Sequence, residues 1–148
     1  MKSESLRPFH LAFPVNDITE SKVWYVKFLG CKVGRESKTW IDFNFFGHQI
    51  SAHLSSEKQS SKKNDVDSKK IPIRHFGIIL GENDWNNLKS RLINLNINFI
   101  VEPYMRFKNQ KGEQSTFFIK DPSGNYLEFK SFKNDSAIFE NQSKTTPV

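Results

Sequence analysis

The chain has 148 residues and a formal net charge of +6, and 36% of its residues are apolar and 14% aromatic. That apolar content is enough for a packed interior and excludes a disordered polypeptide, while no apolar run approaches the roughly 20 residues of a membrane-spanning helix. The N-terminus is polar and lacks the features of a secretory signal, and the single cysteine, Cys31, excludes an internal disulfide. These two features predict a cytoplasmic location. The length of the chain fits a single domain.

The first elements of the chain, within residues 8–54, predict one βαβββ module. Residues 9–15 have the composition of a buried strand, and Asp17 followed three residues later by Glu20 is the pattern of a helix N-cap. A helical spacing of apolar residues follows and ends at Gly30, a favourable C-cap. Three strand patterns then cover residues 31–35, 40–46 and 49–54, with Gly47 in the last turn.

The segment 55–70 separates this module from the next and is rich in serine and lysine. It contains five lysines and no aromatic residue. Nucleic-acid surfaces combine basic residues with stacking aromatics or with a recognisable reading module. The composition of this segment instead predicts a solvated, flexible linker and no nucleic-acid partner. Attraction of an anionic substrate is an alternative use of these charges.

Residues 71–132 repeat the order of the first module. A strand pattern covers residues 73–80, and Asn83 or Asp84 can cap a helix with apolar residues at helical spacing. Strands follow that begin at residue 98 and cover 115–120 and 126–132, with a turn at 121–124. The repeat predicts an α+β fold in which two βαβββ modules form a curved mixed sheet around a metal-binding cup. A polar tail, 133–148, follows.

Two histidines and one glutamate are the candidate metal ligands. We expect His10 and His75 in the middle of the first strand of each module, where a pseudo-two-fold axis brings the imidazoles together. Glu128 lies in the last strand, between Leu127 and Phe129, which point to the opposite face. Burying such a carboxylate is costly unless it is paired or bound to a metal. Two imidazoles and one carboxylate form the facial set of non-haem Fe(II) oxygenases, and they also suit Mn, Ni or Zn.

Each of these residues also has an ordinary structural role when it is taken singly. A histidine in a strand is more often a hydrogen-bonded core residue than a ligand, and Glu128 can form an ion pair with Lys130 or Arg74. The repeat favours the metal site, because it places two of the three residues at equivalent positions.

His53 and Tyr126 are the candidates for moving protons at this site. Aligning the turn glycines of the two modules puts Ser51, and not His53, at the position equivalent to Glu128. His53 then faces the cup as a fourth ligand, as a residue of the rim, or as an acid or base beside the ligands, the role that we favour. Tyr126 shares the strand face of Glu128.

Several motifs in both modules resemble those of the vicinal oxygen chelate superfamily, and most closely its predicted extradiol-type dioxygenases, relatives of glyoxalase and of bleomycin resistance proteins. The resemblance covers Pro8 to Phe132, and the segments that carry it are Pro8–Val15, Trp40–Gln49, Arg74–Gly77, Gly112–Gln114 and Asp121–Lys130. It implies a metal that chelates two neighbouring substrate oxygens, with His10, His75 and Glu128 at the ligand positions. The further carboxylate ligand of glyoxalase I is missing, since the nearest residues are Ser51 and His53.

Three functions are consistent with this pattern. The first is an Fe(II) extradiol-type dioxygenase of a small catechol-like substrate, in which Phe-rich strands keep the site dry. The second keeps the site but uses Ni, Mn or Zn for isomerase, lyase or thiol-transfer chemistry. The third is a metal-free module that binds a drug-like ligand against Trp40, Phe46 and Tyr104. We expect a homodimer, because open sheet edges favour a covering partner.

Overall fold

The computed structural model describes residues 5–57 and 62–141, which divide into two compact units. The first unit contains the described residues up to 63 together with 72–74 and 120–126, and the second contains 64–71, 75–119 and those from 127 onward. Each unit contains a helix and a four-stranded mixed sheet, which confirms the predicted α+β class and the two βαβββ modules. Neither helix in the described ranges has the length and apolar character that spanning a bilayer requires.

The sheet of the first unit has the order β1-β4-β3-β2. Strand β1 runs parallel to β4, and the other neighbours are antiparallel. The elements of this module are β1 (His10–Val15), α1 (Ile18–Leu29), β2 (Lys32–Glu36), β3 (Trp40–Phe45) and β4 (His48–Leu54).

Helix α1 begins and ends where the sequence predicts. The Asp17 carboxylate accepts a hydrogen bond of 2.7 Å from the backbone N–H of Glu20, and Gly30 ends the helix in the left-handed conformation, with a φ of 66°. The helix packs on its sheet through Tyr25, which is fully buried and stacks on Phe43 with ring centroids 4.9 Å apart. Local capping signals and one apolar face are therefore sufficient to define this helix.

Cys31 is buried immediately after the helix, and burial raises the pKa of its thiol to about 12. Because the thiolate is the reactive form, we expect native protein at pH 8 to react with iodoacetamide at least ~100-fold more slowly than a free thiol. Unfolding in urea should restore the ordinary rate. Mass spectrometry of the alkylated chain measures both rates, and fast labelling of the native protein would contradict the buried position.

The sheet of the second unit has the order β7-β10-β9-β8, with β7 parallel to β10. The elements of this module are β7 (Phe76–Ile79), α2 (Glu82–Asn94), β8 (Val101–Arg106), β9 (Gln114–Lys120) and β10 (Tyr126–Phe132). The helix and sheet share a core in which the indole N–H of Trp85 donates to the carbonyl of Phe129 at 2.9 Å. The second module therefore repeats the element order of the first.

Helix α2 starts earlier than the sequence predicts. Gly81 is its N-cap, and the first helical hydrogen bond joins the N–H of Trp85 to the carbonyl of Gly81 at 2.9 Å. Asn83 and Asp84 lie in the first turn, so the prediction that either residue caps the helix is wrong. Polar and acidic residues favour the whole first turn of a helix, and they identify its N-terminal region better than its first residue.

A short β-hairpin, which the sequence does not predict, occupies the end of the serine- and lysine-rich segment. Strand β5 (Lys63–Val66) pairs with β6 (Lys69–Pro72), and the turn residues Asp67 and Ser68 have positive φ values of 50° and 60°. Residues 58–61 of the predicted linker lie outside the described residues, as do residues 142–148 of the tail.

The hairpin explains why β7 is shorter than the predicted strand of residues 73–80. The chain pairs in β6 up to Pro72, and it bends over the next two residues before β7 begins at Phe76. His75 therefore precedes its strand, and His10 is the first residue of β1. The prediction that both histidines lie in the middle of strands is wrong, although both remain at strand beginnings.

Candidate functional site

Two of the three predicted metal ligands, His75 and Glu128, are in contact in the second unit. Glu128 lies in β10 opposite Gly77, and His75 immediately precedes β7. The Nε2 atom of His75 is 3.0 Å from the Oε2 atom of Glu128, and the two side chains are 27% and 10% exposed. The buried Glu128 and the partly exposed His75 line a shallow pocket of about 260 Å³ along β7.

The surroundings of Glu128 favour its ionised form. Burial acts to raise the pKa of Glu128, but a hydrogen bond from His75, the charge of Lys130 and a hydrogen bond from Thr116 hold the pKa below its ordinary value. The Thr116 hydroxyl donates to Oε1 at 2.9 Å, and the ammonium group of Lys130 is 3.7 Å from the same oxygen. Glu128 is therefore an oriented carboxylate at neutral pH, with its Oε2 atom directed to His75.

The spacing and chemistry of this pair fit a divalent metal ion. Two donors that each lie about 2.1 Å from one ion and at a right angle are roughly 3.0 Å apart, which is the separation of the His75 nitrogen and the Glu128 oxygen. Imidazole and carboxylate are common ligands of Fe, Mn, Ni and Zn. Within the described ranges no three His, Cys, Asp or Glu side chains converge as a complete site. The pair is therefore a partial ligand set.

The other predicted site residues belong to the first unit. His10 is exposed at the start of β1, in register with Gln49, and His53 is exposed in β4, in register with Trp40. Tyr126 is half-buried at the start of β10. Their roles as third ligand, as acid or base, and as proton donor stay predictions from the sequence.

Thr116 is a site residue that the sequence analysis missed. It is the fully buried hydroxyl of a strand that otherwise has apolar residues in its centre, and it orients Glu128 from the neighbouring strand. The signal was available, because a polar residue among Phe and Ile side chains must find a hydrogen-bond partner. The partner itself could not be read without the register of β9 and β10.

The first unit contains a similar cross-strand pair with the two roles exchanged. Ser51, at the position aligned with Glu128, donates to the carboxylate of Asp42 at 2.5 Å, and the two residues face each other in the β3–β4 register. Here the hydroxyl is on the last strand and the carboxylate on the strand beside it. The first module thus also contains a buried carboxylate, which lies on the strand beside Ser51 and not at the position aligned with Glu128.

A family model and a solved structure assign this chain to the same protein family. The model of the Glyoxalase/Bleomycin resistance protein/Dioxygenase superfamily matches residues 7–129. The crystal structure of a glyoxalase/bleomycin resistance protein/dioxygenase from Alicyclobacillus acidocaldarius is 34% identical, has a TM-score of 0.77, and aligns over 93% of this chain and 99% of that one. No curated protein sequence matches this chain.

Two more distant structures share the fold. The fosfomycin resistance protein FosX from Listeria monocytogenes is 12% identical, with a TM-score of 0.66 over 90% of this chain and 98% of that one. Lactoylglutathione lyase from Agrobacterium tumefaciens is 17% identical, with a TM-score of 0.59 over 88% of this chain and 96% of that one. At such identities the similarity establishes the architecture and leaves the reaction open.

Proposed function

Since the chain belongs to the Glyoxalase/Bleomycin resistance protein/Dioxygenase superfamily, we propose that it is a metal-dependent enzyme with His75 and Glu128 among its metal ligands. The observation that supports this most strongly is the 3.0 Å contact between a buried carboxylate and an imidazole nitrogen at a pocket. His10, the matching histidine of the first module, is the third ligand in this proposal. A divalent ion held by these residues would act as a Lewis acid toward a substrate with two neighbouring oxygens.

The residues around the pair have separate tasks in this proposal. Before an ion binds, hydrogen bonds from His75 and Thr116 and the charge of Lys130 keep Glu128 ionised, the form that a metal requires. Thr116 occupies Oε1 and so fixes which carboxylate oxygen is directed to His75. Lys130, one-third exposed, adds a positive charge next to the carboxylate, where it can attract a substrate oxygen that carries negative charge.

The reaction that we propose first is extradiol-type dioxygenation of a small catechol-like substrate with Fe(II). Two histidines and one glutamate are the facial ligand set of such oxygenases, and His53 and Tyr126 are the proposed proton carriers. The same ligands with Ni, Mn or Zn would support lyase, isomerase or thiol-transfer chemistry of the glyoxalase type. We also propose a homodimer and a cytoplasmic location.

The metal content of freshly purified protein tests this proposal. We expect elemental mass spectrometry to find about one divalent ion per site, because the three proposed ligands bind one ion. That ion keeps open positions for substrate. Oxygen uptake with catechols after anaerobic Fe(II) loading would support the dioxygenase, whereas glutathione-dependent turnover of a hemithioacetal with Ni, Mn or Zn would support the alternative.

A binding protein without catalysis gives a different result in the same experiments. The protein would purify without metal, and His10→Ala would leave its affinity for an aromatic ligand unchanged. That combination would overturn the proposal of a metal-dependent enzyme.

A further inference from the structure

The turn of the β5–β6 hairpin places a carboxylate against two side chains of the second unit. The Oδ2 atom of Asp67 accepts hydrogen bonds from the hydroxyl of Tyr104 at 3.1 Å and from Nε of Arg106 at 2.5 Å. The ammonium group of Lys69 lies 4.6 Å from the centre of the Tyr104 ring. A phenol and a guanidinium group thus donate to one oxygen of a carboxylate, and an ammonium group lies over the ring of that phenol.

Tyr104 and Arg106 lie in β8, on the sheet face that carries the proposed metal ligands Glu128 and His75. Tyr104 is in register with Thr116 across β8 and β9, and Thr116 donates to Glu128. The polar row formed by Tyr104, Thr116, Glu128 and His75 therefore extends across the sheet. The Asp67 carboxylate lies at the Tyr104 end of this row, and the proposed metal ligands lie at the other end.

The ion pair with Asp67 is poorly suited to a purely structural task. Asp67 and Arg106 are 40% and 21% exposed, and ion pairs at such positions contribute little to stability. The donors nevertheless converge as they do on a bound anion, since Arg and Tyr are frequent partners of carboxylate and phosphate groups. Burial and the bond to Asp67 raise the pKa of Tyr104, so its hydroxyl remains a hydrogen-bond donor.

We propose that Tyr104 and Arg106 form a subsite for an oxyanion of the substrate, and that Asp67 occupies this subsite until the substrate displaces it. The enzyme would then act on a small molecule that carries a carboxylate, phosphonate or phosphate group in addition to the oxygens near His75 and Glu128. The hairpin would act as an internal competitor that selects for anionic substrates. The location of the substrate rests on the proposed function, but binding of the oxyanion does not require the metal.

Oxyanion binding by chelator-treated protein tests this proposal, with inorganic phosphate and acetate as separate probes in calorimetry. Asp67→Asn removes the competing charge, and asparagine tolerates the positive φ of this turn. We expect Asp67→Asn to tighten the binding of at least one probe by roughly tenfold, because a charge-assisted competitor is lost. The tighter probe identifies the preferred oxyanion.

Asp65→Asn is the matched control, because it removes the same charge from the same hairpin while Asp65 contacts only the exposed Lys70 among the described ion pairs. It should change the affinity less than twofold, and the double variant Asp67→Asn/Arg106→Gln should lose the gain. Equal effects of the two hairpin variants, or full binding by the double variant, would overturn the subsite. Near-UV circular dichroism confirms that each variant is folded. Because no metal is present, this result is independent of the metal-content experiment.

Discussion

Glu128→Gln is expected to lower the affinity for a divalent ion at the proposed site by at least ~100-fold, because replacing a residue that only orients a metal ligand already reduces metal affinity 10–100-fold. Glutamine has almost the same shape and can still accept the hydrogen bond of 2.9 Å from Thr116. It lacks the negative charge that a metal ligand supplies, and its amide group cannot replace the carboxylate oxygen that lies 3.0 Å from His75. Activity should fall with metal occupancy.

Glu113→Gln is the matched control for this experiment. Glu113 is also about nine-tenths buried in the second unit, but its carboxylate accepts from the backbone N–H of Asn109 at 2.7 Å and pairs with Lys133 at 3.6 Å. Titration calorimetry with Mn²⁺ or Zn²⁺ measures both variants. Metal affinity equal to that of the wild type in Glu128→Gln, or the same loss in Glu113→Gln, would remove Glu128 from the ligand set.

The parts of the fold that local chemistry determines could be predicted from the sequence. Helix α1 has a side-chain cap at Asp17 and a glycine at its C-terminal end, and both features act within one turn of the helix. Helix α2 has no side-chain cap at Gly81, so its start was misplaced. The turn before β10 was also correct, because the backbone N–H of Gly124 bonds to the carbonyl of Asp121 within four residues.

The site was harder to predict, because it depends on contacts between residues that are far apart in the sequence. The repeat selected His10 and His75 because they hold matching places in the two modules, and Glu128 was selected as a carboxylate between apolar strand residues. The contact between His75 and Glu128 follows from the register of β7 and β10, which the sequence does not give. The bond between Asp67 and Arg106 joins residues 39 apart and depends on a hairpin whose composition resembles a linker. Local composition cannot reveal such a contact, because the turn becomes specific only when the strand opposite it is in place.

Gly77 is the position where the smallest change in the chain is expected to have the largest structural effect. It faces Glu128 in the parallel β7–β10 register, and a Cβ atom added there would lie 1.6 Å from the carbonyl oxygen of Glu128 and 2.6 Å from its carbonyl carbon. No side-chain rotation relieves such a contact, because the opposing atoms belong to the backbone. The aligned residue of the first module, Ala12, faces Ser51 and gave no sign of this restriction.

Gly77→Ala should therefore separate β7 from β10 and lower the free energy of unfolding by about 3 kcal/mol or more, the range of severe overpacking. Affinity for a metal ion at the proposed site should fall as well, because His75 immediately precedes the displaced strand. Urea denaturation measures the stability, and Gly81→Ala is the control, since a Cβ atom at Gly81 meets no atom within 4 Å. Equal unfolding free energies for the two variants would show that β7 does not pair as closely with β10 as this register requires.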